Sequence, residues 1–204
     1  MKKICILDYG LGNVRSLFNS LKKINCEPDL FSTSKKKNYD FIFIPGVGSY
    51  NTGSKLLMRT KIKNFLFENL KNSKIFGICL GMQLLFSEGI ENGYSKGLNL
   101  VNGNVKKIKS RNEKLILPFV GYQSVKFKFN NFPFLEKYNN CKFYFVHSYE
   151  AVPKESDCLL ATTTRGKKKY CASVVNKNII GTQFHPEKSG EIGLEFLKDV
   201  IKNF

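Results

Sequence analysis

The chain of 204 residues is poor in several residue types: it has no tryptophan, two histidines and four arginines. It also has no apolar run near the roughly 20 residues that a membrane-spanning helix needs, so we expect no membrane span. The apolar stretch at residues 4–7 ends at Asp8 without a small-residue cleavage site. It therefore predicts a first β-strand and not a signal peptide.

Cysteine spacing argues against metal binding. The six cysteines stand at positions 5, 26, 79, 141, 158 and 171, with no Cys-x-x-Cys pair and no histidine at zinc-ligand spacing. We therefore predict neither a metal site nor another cofactor. A chain of this length can build a full core without disulfide bonds, which favours free thiols and a cytoplasmic location.

The formal net charge is +17, but the kind of basic residue argues against nucleic acid. Lysine supplies nearly all of the charge, whereas arginine is the residue that reads bases and phosphates with paired hydrogen bonds. The lysine runs at residues 35–37 and 167–169 are predicted to lie in solvated loops. We expect no nucleic-acid partner, although the charge could attract an anionic substrate or an acidic protein surface.

What the chain does have is a cysteine in a distinctive turn. An apolar run at residues 74–78 leads into Gly-x-Cys-x-Gly at 77–81, and an amphipathic helical pattern begins at Leu80. This is the thiol counterpart of the Gly-x-Ser-x-Gly nucleophile turn, in which the N-terminus of the helix favours a nucleophilic thiolate. Because cysteine is also a common small buried residue, Cys79 alone does not establish a nucleophile.

The two histidines are the candidate bases. His185 is followed two positions later by Glu187, and in an extended segment such side chains share a face. Glu187 could then orient His185 while His185 takes the thiol proton of Cys79, which is the arrangement of a catalytic triad. Glu187 could instead cap the last helix. His147 has no acidic neighbour before Glu150 and is predicted to position the backbone.

The first half of the chain alternates strands and helices. Such alternation predicts a mostly parallel sheet with helices on both faces and an active site at the carboxyl ends of the strands. The predicted strands are residues 3–8, 27–31, 40–44 and 74–78, and the predicted helices are residues 13–24 and 54–70.

The second half predicts many short strands, within residues 98–127 and 141–183, which add antiparallel pairing to the sheet. Residues 172–176 and 179–183 flank Lys177-Asn178 as a hairpin, and residues 189–203 form a last helix. We find no linker or repeat, so residues 1–204 are predicted to form a single α/β domain.

These motifs resemble the class I, triad-type glutamine amidotransferases over nearly the whole chain. Within the class the chain is most similar to the HisH-type glutaminase subunits of imidazole glycerol phosphate synthase. The resemblance implies a flavodoxin-like α/β fold. It rests on Asp-Tyr-Gly-x-Gly-Asn at 8–13, Pro-Gly-Val-Gly at 45–48, Gly-Ile-Cys-Leu-Gly-Met-Gln at 77–83, Phe-Val-His-Ser-Tyr at 145–149 and Gly-Thr-Gln-Phe-His-Pro-Glu-Lys-Ser at 181–189.

The resemblance implies hydrolysis of L-glutamine to glutamate and ammonia. Cys79 would attack the side-chain amide and form a thioester, while His185, oriented by Glu187, protonates the ammonia. The backbone of Val47 and Leu80 would stabilise the oxyanion. The implied substrate-binding residues are Gly46, Gly48, Gln83, Glu91, Ser148 and Tyr149. From propensity alone, Gln83 could be a helix surface residue, and the two glycines could merely form a turn.

The ammonia would pass to a (β/α)8-type cyclase in a heterodimer of histidine biosynthesis, with Asn13, Tyr122 and Gln123 at the interface. One block departs from the family: Pro-His-x-Gly-Trp-Asn is replaced by Pro-Phe-Val-Gly-Tyr-Gln at residues 118–123. This leaves open a paralogue that supplies ammonia for amidination of a sugar nucleotide. The intact triad argues against a non-catalytic partner-binding module. The glutamine-pocket residues argue against a cysteine hydrolase that acts alone.

Overall fold

The computed structural model describes residues 2–31, 38–109 and 116–204, so the lysine run at 35–37 lies outside the described residues. The helices are α1 (Val14–Lys23), α2 (Tyr50–Leu57), α3 (Thr60–Asn69), α4 (Leu80–Leu84) and α5 (Gly190–Asn203). The strands are β1 (Ile4–Ile6), β2 (Pro28–Leu30), β3 (Phe41–Gly46), β4 (Lys74–Cys79), β5 (Phe86–Gly89), β6 (Ser95–Lys96), β7 (Val101–Lys107), β8 (Phe119–Phe127), β9 (Lys142–His147), β10 (Tyr149–Pro153), β11 (Leu159–Arg165), β12 (Lys168–Asn176) and β13 (Ile179–Thr182).

Within these residues the main sheet has nine strands in the order β2-β1-β3-β4-β13-β12-β11-β8-β9. The first five are parallel to one another, and the remaining pairs are antiparallel. A smaller sheet has the order β10-β7-β5-β6. The predicted α/β fold, with antiparallel strands added in the second half, is confirmed.

Alternation along the central strands divides the core into two halves. Phe41 and Phe43 of β3 face the side covered by α1 and α5, whereas Ile42 and Ile44 face the side covered by α2, α3 and α4. The first half is rich in phenylalanine; for example, the rings of Phe143 and Phe184 stack with centroids 4.3 Å apart. Full burial of one such ring stabilises a fold by roughly 2–3 kcal/mol.

The prediction of one helix over residues 54–70 is wrong. The chain forms two helices, because Met58 ends α2 and Arg59 is extended, with φ −56° and ψ 134°. α2 also begins earlier than predicted, since the Ser49 side chain accepts a hydrogen bond from the backbone N–H of Thr52. The break lets Leu57 of α2 and Ile62 of α3 both bury in the same half of the core.

The helix predicted to begin at Leu80 is confirmed, and it ends after five residues because the chain turns into β5. One further expectation needs correction. Lys168 and Lys169 do not lie in a loop but begin β12. The Lys168 ammonium pairs with the buried Glu150 carboxylate at 2.7 Å, so this lysine is not merely solvated.

The predicted hairpin and the last helix are confirmed. β12 and β13 pair around Lys177, whose φ of 52° gives the tight reversal. All six cysteines are free thiols. Over residues 2–31, 38–109 and 116–204, no helix combines the length and the apolar character needed to span a bilayer.

Candidate active site

The strand order brings the predicted site residues together at the carboxyl ends of three parallel neighbours. β4 lies between β3 and β13, and Gly46 at the end of β3 is directly opposite Cys79 at the end of β4. The chain that leaves β13 continues to His185. Ligands of parallel α/β sheets bind at this edge, which agrees with the position predicted for the site.

Cys79 has a backbone conformation that few L-residues adopt, with φ 54° and ψ −109°. The flanking glycines make the turn possible. A Cβ on Gly77 would lie 2.7 Å from the Gly81 carbonyl oxygen, and a Cβ on Gly81 would overlap the Ile44 carbonyl oxygen. The glycines therefore allow α4 to cross β3 at backbone contact distance, which holds Cys79 at the top of the turn.

His185 and Glu187 form the predicted pair. The Nδ1 atom of His185 lies 2.7 Å from a carboxylate oxygen of Glu187, and both side chains are almost inaccessible to solvent. Burial by itself lowers the pKa of His185, but the Cys79 sulfur and the Glu187 carboxylate outweigh burial and raise it to about 10. The sulfur and the carboxylate thus favour a charged imidazolium, whose Nε2 atom is buried and has no hydrogen-bond partner among the described residues.

The backbone of the His185 loop is held in place on both sides. The His185 N–H donates to the Tyr144 carbonyl at 2.8 Å, and the Ser189 hydroxyl donates to the His185 carbonyl at 2.6 Å. Ser20 of α1 lies 3.4 Å from the Glu187 carbonyl and donates to it. Because the Glu187 carboxylate faces His185, this residue does not cap α5.

The two expected oxyanion donors flank Cys79. Leu80 is the first residue of α4, so its N–H lies at the free N-terminal end of the helix. Val47 directly follows β3 and is 38% exposed, and Gly48 has a φ of +112°. A Cβ on Gly46 would lie 2.6 Å from the Tyr9 hydroxyl and 2.8 Å from the Gly81 backbone nitrogen, so close packing against Tyr9 and the start of α4 requires glycine there.

The residues expected to hold glutamine make several contacts within the chain. Gln83 is buried and not on a helix surface: its amide nitrogen donates to the Tyr149 carbonyl at 3.2 Å. The Glu91 carboxylate accepts a hydrogen bond of 2.7 Å from the N–H of Tyr50, the first residue of α2. The Ser148 carbonyl accepts a hydrogen bond of 3.0 Å from the backbone N–H of Ile108. Their contacts with glutamine remain a prediction.

His147 positions the backbone, as its sequence context predicts. Its Nδ1–H donates to the Tyr149 carbonyl at 2.8 Å, and its ring packs on Phe119 with centroids 5.2 Å apart. Burial lowers the pKa of His147 to about 4, and the nearby positive charges of His185 and Arg165 act in the same direction, against the hydrogen bond to Tyr149. A neutral imidazole with its proton on Nδ1 is therefore built into the site wall.

This burial predicts a loss of stability in acid. The folded-state pKa of His147 lies below its unfolded value, so its contribution is complete above about pH 6.5 and is lost as the pH falls toward 4. We expect the free energy of unfolding to fall by about 2–3 kcal/mol between pH 7 and 4.5 because of this residue. The measurement is urea unfolding at both pH values, in which His147→Gln should show a smaller fall. An equal fall in both proteins would contradict the prediction.

Sequence reasoning missed two side chains at the site. The Gln183 amide nitrogen lies 3.6 Å from the Cys79 sulfur. The Tyr9 hydroxyl is buried beside Gly46 and has no hydrogen-bond partner in the part of the chain that the structure describes, and burial together with Cys79 raises its pKa. The sequence could have indicated Gln183, because it lies two positions before His185 and alternate side chains of an extended segment share a face.

The three residues expected at a partner interface lie on both sides of the site. The Asn13 side chain caps α1 by accepting from the N–H of Ser16 at 3.2 Å, and the preceding Gly12 lies against Pro45. Tyr122 and Gln123 lie on β8. The Tyr122 hydroxyl donates to the Lys188 carbonyl at 3.1 Å, next to the His185 loop.

Comparison with known proteins places this geometry in a class. Residues 5–203 match the family described as glutamine amidotransferase class-I. The fold agrees with solved structures at low identity. The chain superposes on a structure of PurLQS from Thermotoga maritima with a TM-score of 0.76, at 19% identity and 99% coverage of both chains. It superposes on a putative GMP synthase subunit from Thermoplasma acidophilum with a TM-score of 0.71, at 19% identity, covering 99% of this chain and 93% of that chain.

Curated relatives of the chain belong to one family within this class. The chain is 40% identical to imidazole glycerol phosphate synthase subunit HisH of Sulfolobus acidocaldarius, over 97% of this chain and 96% of the relative. It is 37% identical to subunit HisH of Chlorobaculum tepidum, over 96% and 98%. It is also 37% identical to subunit HisH of Thermotoga maritima, over 98% and 96%. The chain belongs to the class I glutamine amidotransferases, in the HisH family of imidazole glycerol phosphate synthase subunits.

Proposed function

We propose that the chain hydrolyses L-glutamine through Cys79, His185 and Glu187 and passes the ammonia to a (β/α)8-type cyclase subunit. The observation that carries the proposal is the buried His185–Glu187 pair of 2.7 Å, placed beside a cysteine in a strained turn. A structural cysteine would need neither the strained backbone nor an oriented imidazolium.

The chemistry balances with these three side chains. The Cys79 thiolate attacks the side-chain amide carbon, and the carbonyl electron pair moves to oxygen beside the Leu80 and Val47 backbone. Collapse breaks the C–N bond, and the His185 imidazolium gives its proton to the departing nitrogen. The neutral His185 then takes a proton from water as this water attacks the thioester, which releases glutamate and restores the thiolate. Glu187 stays ionised and holds the imidazole in one tautomer.

The histidine-pathway cyclase is the acceptor that the relatives favour. All three curated relatives above carry the name of imidazole glycerol phosphate synthase, and the chain covers nearly their whole length. These names do not favour a sugar-nucleotide acceptor, the alternative that the atypical block at residues 118–123 had left open. We place the protein as one domain of a cytoplasmic heterodimer with lyase activity. Six free thiols agree with a reducing compartment.

The partner surface is proposed to include the outer face of β8. Val120 is 55% exposed and Tyr122 is 53% exposed, and alternate residues of a strand share one face. The Tyr122 ring packs on Tyr144, and the Tyr144 ring lies 6.4 Å from that of His185. An apolar surface thus adjoins the histidine that protonates the ammonia, which suits a partner that receives ammonia on this side.

We expect Val120→Asp to raise the dissociation constant for the cyclase about tenfold or more, because it places a charge in this apolar face. The measurement is titration of the cyclase by calorimetry. The matched control is Phe67→Asp, which changes an apolar residue that is 45% exposed on α3. Equal affinities for the two variants would exclude the β8 face as the docking surface.

The proposed acceptor has its own test. Glutamate release by the complex with an imidazole glycerol phosphate synthase cyclase should rise when the ribonucleotide substrate of the cyclase is added. No response, together with ammonia transfer to a sugar nucleotide in the presence of another synthase, would establish the alternative. Failure to bind any (β/α)8-type synthase would contradict both.

A further inference from the structure

The side chain of Gln183 has no function in the mechanism above, yet it lies at the centre of the site. Gln183 follows β13 and is fully buried. Its amide nitrogen lies 3.6 Å from the Cys79 sulfur, and its amide oxygen accepts a hydrogen bond of 3.0 Å from Gln83. Packing alone would favour an apolar side chain at this position, because burying an amide costs free energy unless its hydrogen bonds are made.

The surrounding hydrogen bonds fix which end of the amide faces the sulfur. The Tyr149 carbonyl can only accept, so the Gln83 group that lies 3.2 Å from it must be the nitrogen. The same nitrogen contacts Gln183, which must therefore present its oxygen to Gln83. The remaining end of Gln183, the NH₂ group, consequently points at Cys79.

We propose that Gln183 is a further catalytic residue that donates a hydrogen bond from its side-chain amide to the Cys79 thiolate. The inference rests on the proposed role of Cys79 as the nucleophile. A hydrogen bond to an ionised acceptor is roughly twice as strong as one between neutral groups, and burial strengthens it further. The amide therefore stabilises the charged sulfur before glutamine is attacked.

The amide differs from His185 in what happens during the reaction. His185 stabilises the thiolate only while it is an imidazolium, and it loses that proton to ammonia in the first half of the reaction. His185 regains a proton only when it takes one from the water that attacks the thioester, whereas the amide of Gln183 does not titrate, so its donor is present at every stage. The chain of hydrogen bonds also joins the sulfur, through Gln83, to the Tyr149 carbonyl beside the expected glutamine site.

Several titratable groups lie around the site, and their own protonation contributes to any pH profile measured there. His185, with Glu187 beyond it, approaches from the segment after β13. Tyr9 approaches from the segment after β1, and its pKa is raised by burial and by Cys79. His147 lies on β9, and a positive charge on its ring would repel the positive charge of His185. Because Gln183 carries no charge, replacing it leaves these groups in place.

The test is the rate at which iodoacetamide alkylates Cys79 as a function of pH, measured on the chain by peptide mass spectrometry without glutamine or cyclase. Gln183→Met keeps the approximate volume and removes the donor. We expect the pH at which alkylation reaches half its maximum rate to rise by about one unit. The plateau rate at high pH should stay the same or rise up to about threefold, because a more basic thiolate is more nucleophilic. Gln83→Met should shift the midpoint in the same direction by less, since it frees the Gln183 oxygen.

Thr182→Val is the matched control. Thr182 adjoins Gln183, is equally buried and loses one hydrogen bond, from its hydroxyl to the Phe184 carbonyl, without contacting the sulfur. We expect no shift of the midpoint in this variant. An unshifted midpoint in Gln183→Met, or equal shifts in the two variants, would overturn the proposal. Because alkylation requires no glutamine turnover, a chain without glutaminase activity could still show the shift, and an active chain could fail to show it.

Discussion

Replacing Cys79 with alanine is expected to lower the rate of glutamate release from the cyclase complex by about a million-fold, the scale of losing a covalent nucleophile. His185 and the oxyanion donors would remain, but no thioester could form, so only slow direct attack by water would be left. The measurement is glutamate release by the purified complex, together with mass spectrometry of the glutamyl thioester on the wild-type chain. Glutamate release near the wild-type rate from Cys79→Ala would refute the mechanism.

Cys171→Ala provides the matched control for this experiment. Cys79 and Cys171 are both 7% exposed and both lie in the main sheet. Burial raises the pKa of Cys171 to about 12, and its thiol donates to the Ser173 carbonyl. We expect Cys171→Ala to keep its glutaminase rate, because equal burial without the strained turn and the histidine gives an inert thiol.

Gly81→Ala is expected to destabilise the fold by about 4 kcal/mol or more, which for a domain of this size approaches complete unfolding. A Cβ at this position would overlap the Ile44 carbonyl oxygen. Backbone atoms on both sides cannot move apart without separating α4 from β3. The measurement is the free energy of unfolding in urea, followed by circular dichroism.

Gly53→Ala separates this clash from the ordinary effect of alanine in a helix. Gly53 lies inside α2, and a Cβ there would meet only the flexible ends of Leu84 and Leu80, at 3.0 and 3.1 Å. Alanine favours a helix over glycine by about 1 kcal/mol, so we expect a change within about 1 kcal/mol of zero. Similar stabilities of the two variants would show that the crossing of α4 over β3 can relax.

Local patterns in the sequence predicted the parts of the site whose members are close along the chain. The pairing of His185 with Glu187 follows from their spacing, and the turn at Cys79 follows from its two glycines. The same local reasoning failed for the helix predicted over residues 54–70. Its apolar pattern continues past Arg59, whereas in the structure Arg59 separates two shorter helices that both bury apolar side chains in the same half of the core.

The glutamine-binding residues show the other limit of local reasoning. Gln83 and Glu91 were identified by resemblance, but nothing in their neighbourhood predicts that Gln83 contacts the Tyr149 carbonyl or that Glu91 contacts the N–H of Tyr50. Gly46 is likewise identified by resemblance, whereas its close packing against Tyr9 is not predicted, because Tyr9 is 37 positions away in sequence.

The sequence by itself determined the class of fold, the nucleophile turn and the histidine with its carboxylate, because each depends on periodicity or on spacing of a few residues. Only the tertiary structure decided which polar side chains meet at the sulfur. Gln183 is 104 positions from Cys79 and 100 positions from Gln83, and the order of β4 and β13 in the sheet brings them together. Burial then makes their mutual hydrogen bonds obligatory, since neither amide can turn to water.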